Sequence, residues 1–285
     1  MVNKQIQKAR KQEKFFKALL YVCAGLTILI VVSIIGYILY MGLPNVTLEF
    51  LTGDVKNLGR AGGILPIIIN TVYLIALGLL FSVPISIMAA IYLNEYAKKG
   101  RVVEIIKLCT ENLAGIPSVI FGLFGFLLFG RVFGLGWSLL NGSITVAIVI
   151  MPTLIRTTQE ALLTVPDSYR EGSLALGATK WKTIYKVVLP SALSGIFSGV
   201  ALSMGRIIGE TAALYLTLGS GTKLVSDVMQ SARSLALHLY LLVSEGISSA
   251  NAYATAAVLI IVILILNLCA ALFTYRMKKK LGVDK

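Results

Sequence analysis

Charged side chains are scarce in this sequence. They make up 14% of its 285 residues, against roughly a quarter in a typical soluble domain. There is one histidine, and the three cysteines (Cys23, Cys109 and Cys269) lie too far apart to indicate a disulfide framework or a metal-binding cluster. A phosphate-binding loop of the G-x-x-x-x-G-K-S/T type is also absent. We therefore predict no catalytic residue, no metal site and no cofactor in this chain, which then depends on a partner for chemical energy.

Hydrophobic residues are abundant and form long blocks. They account for 57% of the sequence and give a mean hydropathy of +0.85. Several uncharged runs reach the ~20 residues that cross a bilayer as a helix: Leu19–Tyr40, Ala61–Asn94, Gly134–Ile155 and Ala254–Tyr275. The pattern predicts an all-α polytopic membrane protein with six transmembrane helices. We place these helices near Leu19–Tyr40, Ile67–Leu93, Leu113–Phe129, within Gly134–Ile155, from Ala192 onward, and at Tyr253–Tyr275.

The basic residues are unevenly distributed, and the formal net charge is +13. Most of the 26 Lys and Arg lie before residue 18, between spans two and three, in 156–186, or after Tyr275. Because such an excess marks the cytoplasmic side, we predict a multi-pass protein of the cytoplasmic membrane with both termini in the cytoplasm. Its parts are a basic N-terminal segment (1–18), a six-span domain (19–275) and a basic tail (276–285). We expect contact with membrane lipid and none with nucleic acid.

Two segments outside the spans have a predicted structure of their own. The amphipathic pattern of Val102–Glu111 predicts a helix along the cytoplasmic surface before span three. An external segment, Gly219–Asn251, is long enough for a short helix at about Val225–Leu242. We expect His238, within that helix, to be a surface residue.

A polar stretch, EGSLALGATKWKTIYKVVLP (171–190), ends the predicted cytoplasmic loop 157–190. Ser168 and Glu171 form a capping-box pattern at the start of one helix. Gly177 is expected to end that helix, Thr179 to cap a second one, and Pro190 to stop the second.

In the two predicted helices of this loop, apolar residues such as Tyr169 and Trp181 are interleaved with Lys180 and two further lysines. Such a surface suits a groove on a soluble partner. It also suits the membrane surface, with the lysines beside anionic lipid.

An arginine lies inside span five, in the stretch GRIIGETAALYLTLG (205–219). A charge in the membrane is costly and calls for a reason. Arg206 and Glu210 are four residues apart and are predicted to share a helix face. They either neutralise each other in packing or line a substrate path, where Arg206 offers donors to an oxyanion, Glu210 orients it, and Thr211 adds a hydroxyl.

Arg156 lies at the cytoplasmic end of span four, just past Pro152. Its side chain either extends to the membrane interface or forms a second anion-binding site near the cytoplasmic exit of the substrate path.

The spacing E-x₅-G-x₆-I-x₅-P, formed by Glu171, Gly177, Ile184 and Pro190, resembles the EAA loop of permeases of binding-protein-dependent ABC importers. Gly172-Ser173 departs from the usual two alanines. The resemblance implies an ABC importer type I permease fold whose loop docks on an ATPase. The residues that it implies for ATPase coupling are Tyr169, Glu171, Gly177, Thr179, Lys180 and Trp181.

Three separated motifs, RIIGETA (206–212), AGIPSVIFGLFGF (114–126) and MPTLIRTTQEALLTVPDSYREG (151–172), resemble the PstA-type permeases of phosphate-specific ABC importers. This resemblance implies that the chain carries inorganic phosphate by alternating access, with Arg206 and Glu210, and also Arg156, on the path. In that family a proline often follows the GETA residues, and Ala213 occupies that position here. We therefore expect an unkinked helix there.

The same resemblance implies a set of partners. They are a PstC-type permease, two PstB-type ATPase subunits that hold ATP-Mg, and an extracytoplasmic PstS-type phosphate-binding protein. The exposed loops Gly42–Gly63 and Gly219–Asn251 would receive the binding protein. Three alternatives stay open: the sister PstC-type permease, a permease for sulfate or molybdate, and a stand-alone channel or secondary carrier.

Overall fold

The structure is a computed structural model that describes residues 2–97 and 100–281, with side chains described for 13–97 and 100–276. Three of the predicted cytoplasmic charge clusters therefore lie partly outside the described residues. These are the basic side chains before residue 13, Lys98 and Lys99, and the basic side chains after residue 276.

The regular secondary structure of the described residues is helical apart from one very short hairpin, β1 (Val55–Lys56) with β2 (Ala61–Gly62), paired antiparallel. The helices are α1 (Val2–Gly42), α2 (Leu48–Thr52), α3 (Leu65–Ile91), α4 (Arg101–Gly115), α5 (Ser118–Gly125), α6 (Leu139–Leu163), α7 (Asp167–Ala175), α8 (Lys180–Thr183), α9 (Leu189–Gly209), α10 (Ala212–Thr217), α11 (Leu235–Ser244) and α12 (Ser249–Leu281). Wider π-helical turns extend three of them: Tyr92–Tyr96 after α3, Phe126–Val132 after α5, and Ile184–Val188 between α8 and α9.

Six spans can be drawn through the described residues, as predicted. Five are single helices that are long and apolar enough to cross a membrane: Glu13–Asn45, Leu65–Tyr96, Leu139–Leu163, Lys180–Gly209 and Ser249–Arg276. The sixth is a bent pair, Arg101–Gly115 with Ser118–Val132, whose halves meet at 99°. The all-α, six-span prediction is confirmed.

The bent pair consists of the amphipathic α4 and the apolar α5 with the π-helical turns that extend it. No residue of α4 is buried, which agrees with the amphipathic pattern of its sequence. The chain turns at Ile116, whose backbone is extended, and Pro117 precedes the first turn of α5. Proline disfavours a helical conformation in the residue before it, so the sequence itself provides the break.

The core lies where α3, α6 and α9 pack together, with α10 and α11 against them. Its buried side chains include Leu74, Val146, Ile150, Ile207 and Leu214. In contrast, the apolar side chains of α1 from Phe15 to Ile35 are exposed, and α1 packs along α12. Exposed apolar surface of this extent is expected where a helix faces lipid.

Pro190 does not end the second helix of the polar loop, and that prediction was wrong. The helix runs without interruption from Lys180 to Gly209. Proline normally clashes with the carbonyl four residues before it. Here the π-helical turns Ile184–Val188 widen the helix just ahead of Pro190, and the Leu189 amide donates five residues back to the Ile184 carbonyl. Span five therefore continues directly into the cytoplasmic loop.

The external segment differs from its prediction. Its helix, α11, covers only residues 235–244, with Ser234 accepting a hydrogen bond from the Leu237 amide at its start. His238 is 1% exposed, so the expectation of a surface histidine was wrong. The His238 Nδ1 lies 3.2 Å from Nη1 of the buried Arg233, whose Nη2 donates to the Ser220 carbonyl.

This buried pair predicts an acid-sensitive fold. Burial, together with the nearby Arg233 charge, lowers the pKa of His238 from 6.5 to about 4. Because the histidine is neutral when folded, its contribution to stability is present above pH 6.5 and is lost as the pH falls toward 4. The loss between pH 7 and pH 5 is about 2 kcal/mol.

Thermal unfolding of the purified chain in detergent at pH 7 and pH 5 measures this effect. His238→Gln keeps an oxygen acceptor for Arg233 but does not titrate, so its unfolding temperature should change less between the two pH values. An equal change in both proteins would contradict the assignment.

Candidate translocation site and coupling elbow

Arg206 points away from the core of its own chain. It lies in the last turn of α9, on an exposed stripe with Ser198 and Leu202, while Ile207 beside it is buried. Its Nη1 donates to the Thr153 hydroxyl of α6 at 3.3 Å. The guanidinium is thus held between α6 and α9, and its other N–H groups have no protein partner within the described residues.

Glu210 does not share a helix face with Arg206, and the predicted geometry of this pair was wrong. The helix ends at Gly209, and Glu210 has an extended backbone. Its side chain, 9% exposed, accepts from the Ala213 amide and so caps α10. The helix is therefore broken here without a proline, contrary to the unkinked helix expected from Ala213. A role for Glu210 on the substrate path stays a prediction.

Thr211 is half-buried in the same break between α9 and α10. Its hydroxyl donates to the Gly209 carbonyl at 3.3 Å. The hydroxyl proton is thus used locally, and its predicted contact with a substrate stays a prediction.

Arg156 lies one helical turn beyond Thr153 on α6. Its Nε contacts Glu160 Oε1 at 3.1 Å, and both side chains are largely exposed. Arg156, Thr153 and Glu160 line a cavity of about 740 Å³ with Lys107 and Glu111 of α4. Thr153 therefore both lines this cavity and accepts a hydrogen bond from Arg206. Sequence reasoning missed Thr153, which is an unremarkable residue between Pro152 and Arg156.

The coupling elbow, residues 167–183, consists of α7, a turn and α8. Gly177 makes the turn with φ +78°, which glycine adopts readily. The Thr179 hydroxyl accepts from the Lys182 amide at the start of α8. Both residues act structurally as predicted. The predicted capping box is wrong, because α7 starts at Asp167, directly after Pro166, with no side-chain cap at that end.

The six residues predicted for ATPase coupling all lie on the surface of the elbow. They are Tyr169, Glu171, Gly177, Thr179, Lys180 and Trp181. Trp181 is 63% exposed and stacks on Tyr185, and Leu176 at the turn is 91% exposed. Tryptophan and tyrosine are enriched among the residues that contribute most to binding at protein interfaces. The coupling role stays a prediction.

Known proteins resemble this chain over most of its length. A family model, "Binding-protein-dependent transport system inner membrane component", matches residues 82–283. The "Probable ABC transporter permease protein YqgI" of Bacillus subtilis is 30% identical, and the match covers 95% of this chain and 98% of the relative.

Two other relatives carry a more specific name, "Phosphate transport system permease protein PstA". The one from Haemophilus influenzae is 30% identical over 83% of this chain and 84% of its own. PstA 1 of Mycobacterium tuberculosis H37Rv is 34% identical over 75% of this chain and 70% of its own.

Solved structures share the fold. A chain of a bacterial alginate ABC transporter superposes with a TM-score of 0.67 at 17% identity, covering 96% of this chain and 97% of that one. A chain of the MetNI methionine ABC transporter gives 0.57 at 19% identity, with 75% and 94% coverage. The resemblance of the polar loop predicted the fold of an ABC importer permease, and these superpositions confirm that fold. The chain belongs to the binding-protein-dependent transport system inner membrane component family and is a multi-pass protein of the inner membrane.

Proposed function

We propose that this chain is the membrane-spanning permease subunit of an ATP-driven importer that carries inorganic phosphate across the cytoplasmic membrane. The observation that carries the proposal is Arg206, an arginine inside a span, exposed from its own chain and hydrogen-bonded to Thr153. The names of the PstA relatives favour phosphate over sulfate or molybdate. They also favour a PstA-type over a PstC-type subunit.

The partners follow from the proposed function. A PstC-type permease completes the path, and two PstB-type ATPase subunits hold ATP-Mg and dock on the coupling elbows. A PstS-type protein delivers phosphate to the external loops. The excess of Lys and Arg in the terminal segments supports a cytoplasmic position for both termini, on the same side as the ATPase subunits.

During transport, inorganic phosphate binds to the planar N–H donors of the Arg206 guanidinium, which match two phosphate oxygens. The Thr153 hydroxyl fixes the orientation of the guanidinium. Glu210 and Thr211 lie in the break between α9 and α10, a few residues after Arg206. Arg156 forms a second anion-binding position, nearer the cytoplasm, on the cavity that Thr153 also lines. Its ion pair with Glu160 competes with phosphate and keeps binding weak enough for release.

The cargo can be tested in cells that lack their own phosphate importer and express this chain with its neighbouring subunits. Uptake of labelled phosphate should appear and should resist a large excess of sulfate or molybdate. Uptake that either anion abolishes would contradict phosphate as the cargo.

Thr153 provides a matched pair of variants. Thr153→Val keeps the shape but removes the hydroxyl that orients Arg206, so the KM for phosphate uptake should rise about fivefold, the equivalent of one hydrogen bond of ~1 kcal/mol. Thr153→Ser restores the hydroxyl and should return the KM to near the wild-type value. Equal KM values for the valine and serine variants would exclude this role.

A further inference from the structure

Arg170 and Glu95 form an ion pair that the sequence motifs do not reveal. Arg170 belongs to α7 of the coupling elbow, and Glu95 lies in the π-helical turns that end span two. Arg170 Nη2 and Nε lie 2.9 Å and 3.2 Å from Glu95 Oε1. The side chains are 17% and 7% exposed, so solvent screens this pair much less than a surface pair.

The same guanidinium also binds the end of span four. Arg170 Nη1 donates to the Val165 carbonyl at 2.7 Å, and Nη2 donates to the Leu162 carbonyl at 3.0 Å. Leu162 belongs to the last turn of α6, and Val165 follows two residues after that helix ends. One side chain of the elbow is therefore bonded to the cytoplasmic ends of both α3 and α6.

A second contact joins the elbow to the same π-helical turns. The Lys180 ammonium, at the start of α8, lies 5.0 Å from the centre of the Tyr96 ring. Ser173 and Thr183 hydroxyls, 2.9 Å apart, connect α7 to the end of α8. Both arms of the elbow thus hold adjacent residues, Glu95 and Tyr96, and are tied to each other.

We propose that Arg170 and Glu95 are positioning residues that transmit movement of the coupling elbow to spans two and four. This inference rests on the proposed function. A paired guanidinium and carboxylate fix both distance and orientation, and π-helical turns often occur at functional positions. Because α3 and α6 pack along each other and α6 carries Thr153 and Arg156, a displacement of the elbow reaches the proposed path through this pair.

The test uses the complete importer in proteoliposomes, with phosphate transport and ATP hydrolysis measured together. Glu95→Gln keeps the shape of the side chain but removes its charge. The phosphate moved per ATP hydrolysed should fall about tenfold, a usual size for coupling between sites, while ATP hydrolysis stays near the wild-type rate. Asp167→Asn is the matched control, because Asp167 contacts the same arginine at 3.2 Å but is 88% exposed. In this variant the phosphate moved per ATP hydrolysed should be unchanged.

Arg170→Lys is the second variant and keeps the positive charge for assembly. It lacks the fork that reaches Glu95 and two carbonyls together, so its ratio should also fall. A wild-type ratio in either variant that assembles would overturn the inference. So would a parallel loss of ATP hydrolysis and transport, since the pair would then only build the docking surface. If the wild-type complex moves no phosphate, the proposed function fails instead.

Discussion

Arg206→Ala should reduce phosphate uptake about 100-fold while the complex still assembles. The factor corresponds to ~3 kcal/mol, the size of the charge-assisted hydrogen bonds that an arginine fork makes. Assembly should survive because Arg206 is exposed from its own chain and, among the side chains of 13–97 and 100–276, hydrogen-bonds to the Thr153 hydroxyl alone. Labelled phosphate uptake at matched membrane levels of the protein gives the comparison.

Two further variants make the Arg206 result specific. Arg206→Lys keeps the charge and loses the fork, so uptake should be intermediate. Arg131 is also exposed, at the end of the bent span, where it lies over the Phe126 ring. Arg131→Ala should therefore transport normally. Normal uptake by Arg206→Ala would mean that the arginine is structural, and the cargo assignment would lose its physical basis.

Gly177→Leu should uncouple the permease from its ATPase. At φ +78° a leucine is strained, at a cost of about 1–2 kcal/mol. Apart from its two neighbours in the chain, no described residue has an atom within 4 Å of the position that its Cβ would take, so strain at the turn is the expected cause. The turn between α7 and α8 would rearrange, and the surface presented by Trp181 and Tyr169 would be lost. We expect loss of ATPase copurification and of phosphate uptake.

Control variants within the elbow distinguish the effect of the backbone conformation at the turn from the effect of added side-chain volume. Asparagine adopts this backbone conformation more readily than leucine, so Gly177→Asn should retain much of the copurifying ATPase. Gly172, inside α7, also has free space around it, and Gly172→Ala should be neutral. If Gly177→Leu copurifies with the ATPase as well as the wild type does, the elbow is not the docking element.

The sequence predicted those features that depend on composition and local conformation. Six spans followed from the length of the apolar runs, and α4 followed from its amphipathic pattern. Gly177 and Thr179 were placed correctly because a left-handed turn and a helix cap depend on a few adjacent residues.

The errors concern partners that are distant in sequence or local backbone adjustments. Arg170 and Glu95 are 75 residues apart, and no local pattern links them. Pro190 was expected to stop a helix, but π-helical turns absorb it. Glu210 fits helical spacing with Arg206, yet its carboxylate caps α10. His238 is buried because α11 packs against the core, which the polarity of one residue cannot indicate.

The most direct test of the account is phosphate transport by the complete complex in proteoliposomes, with binding protein supplied on the outside and ATP on the ATPase side. We predict phosphate accumulation that requires both the binding protein and ATP hydrolysis, and that Arg206→Ala removes. Accumulation without ATP would indicate a channel or secondary carrier and would contradict the proposed function.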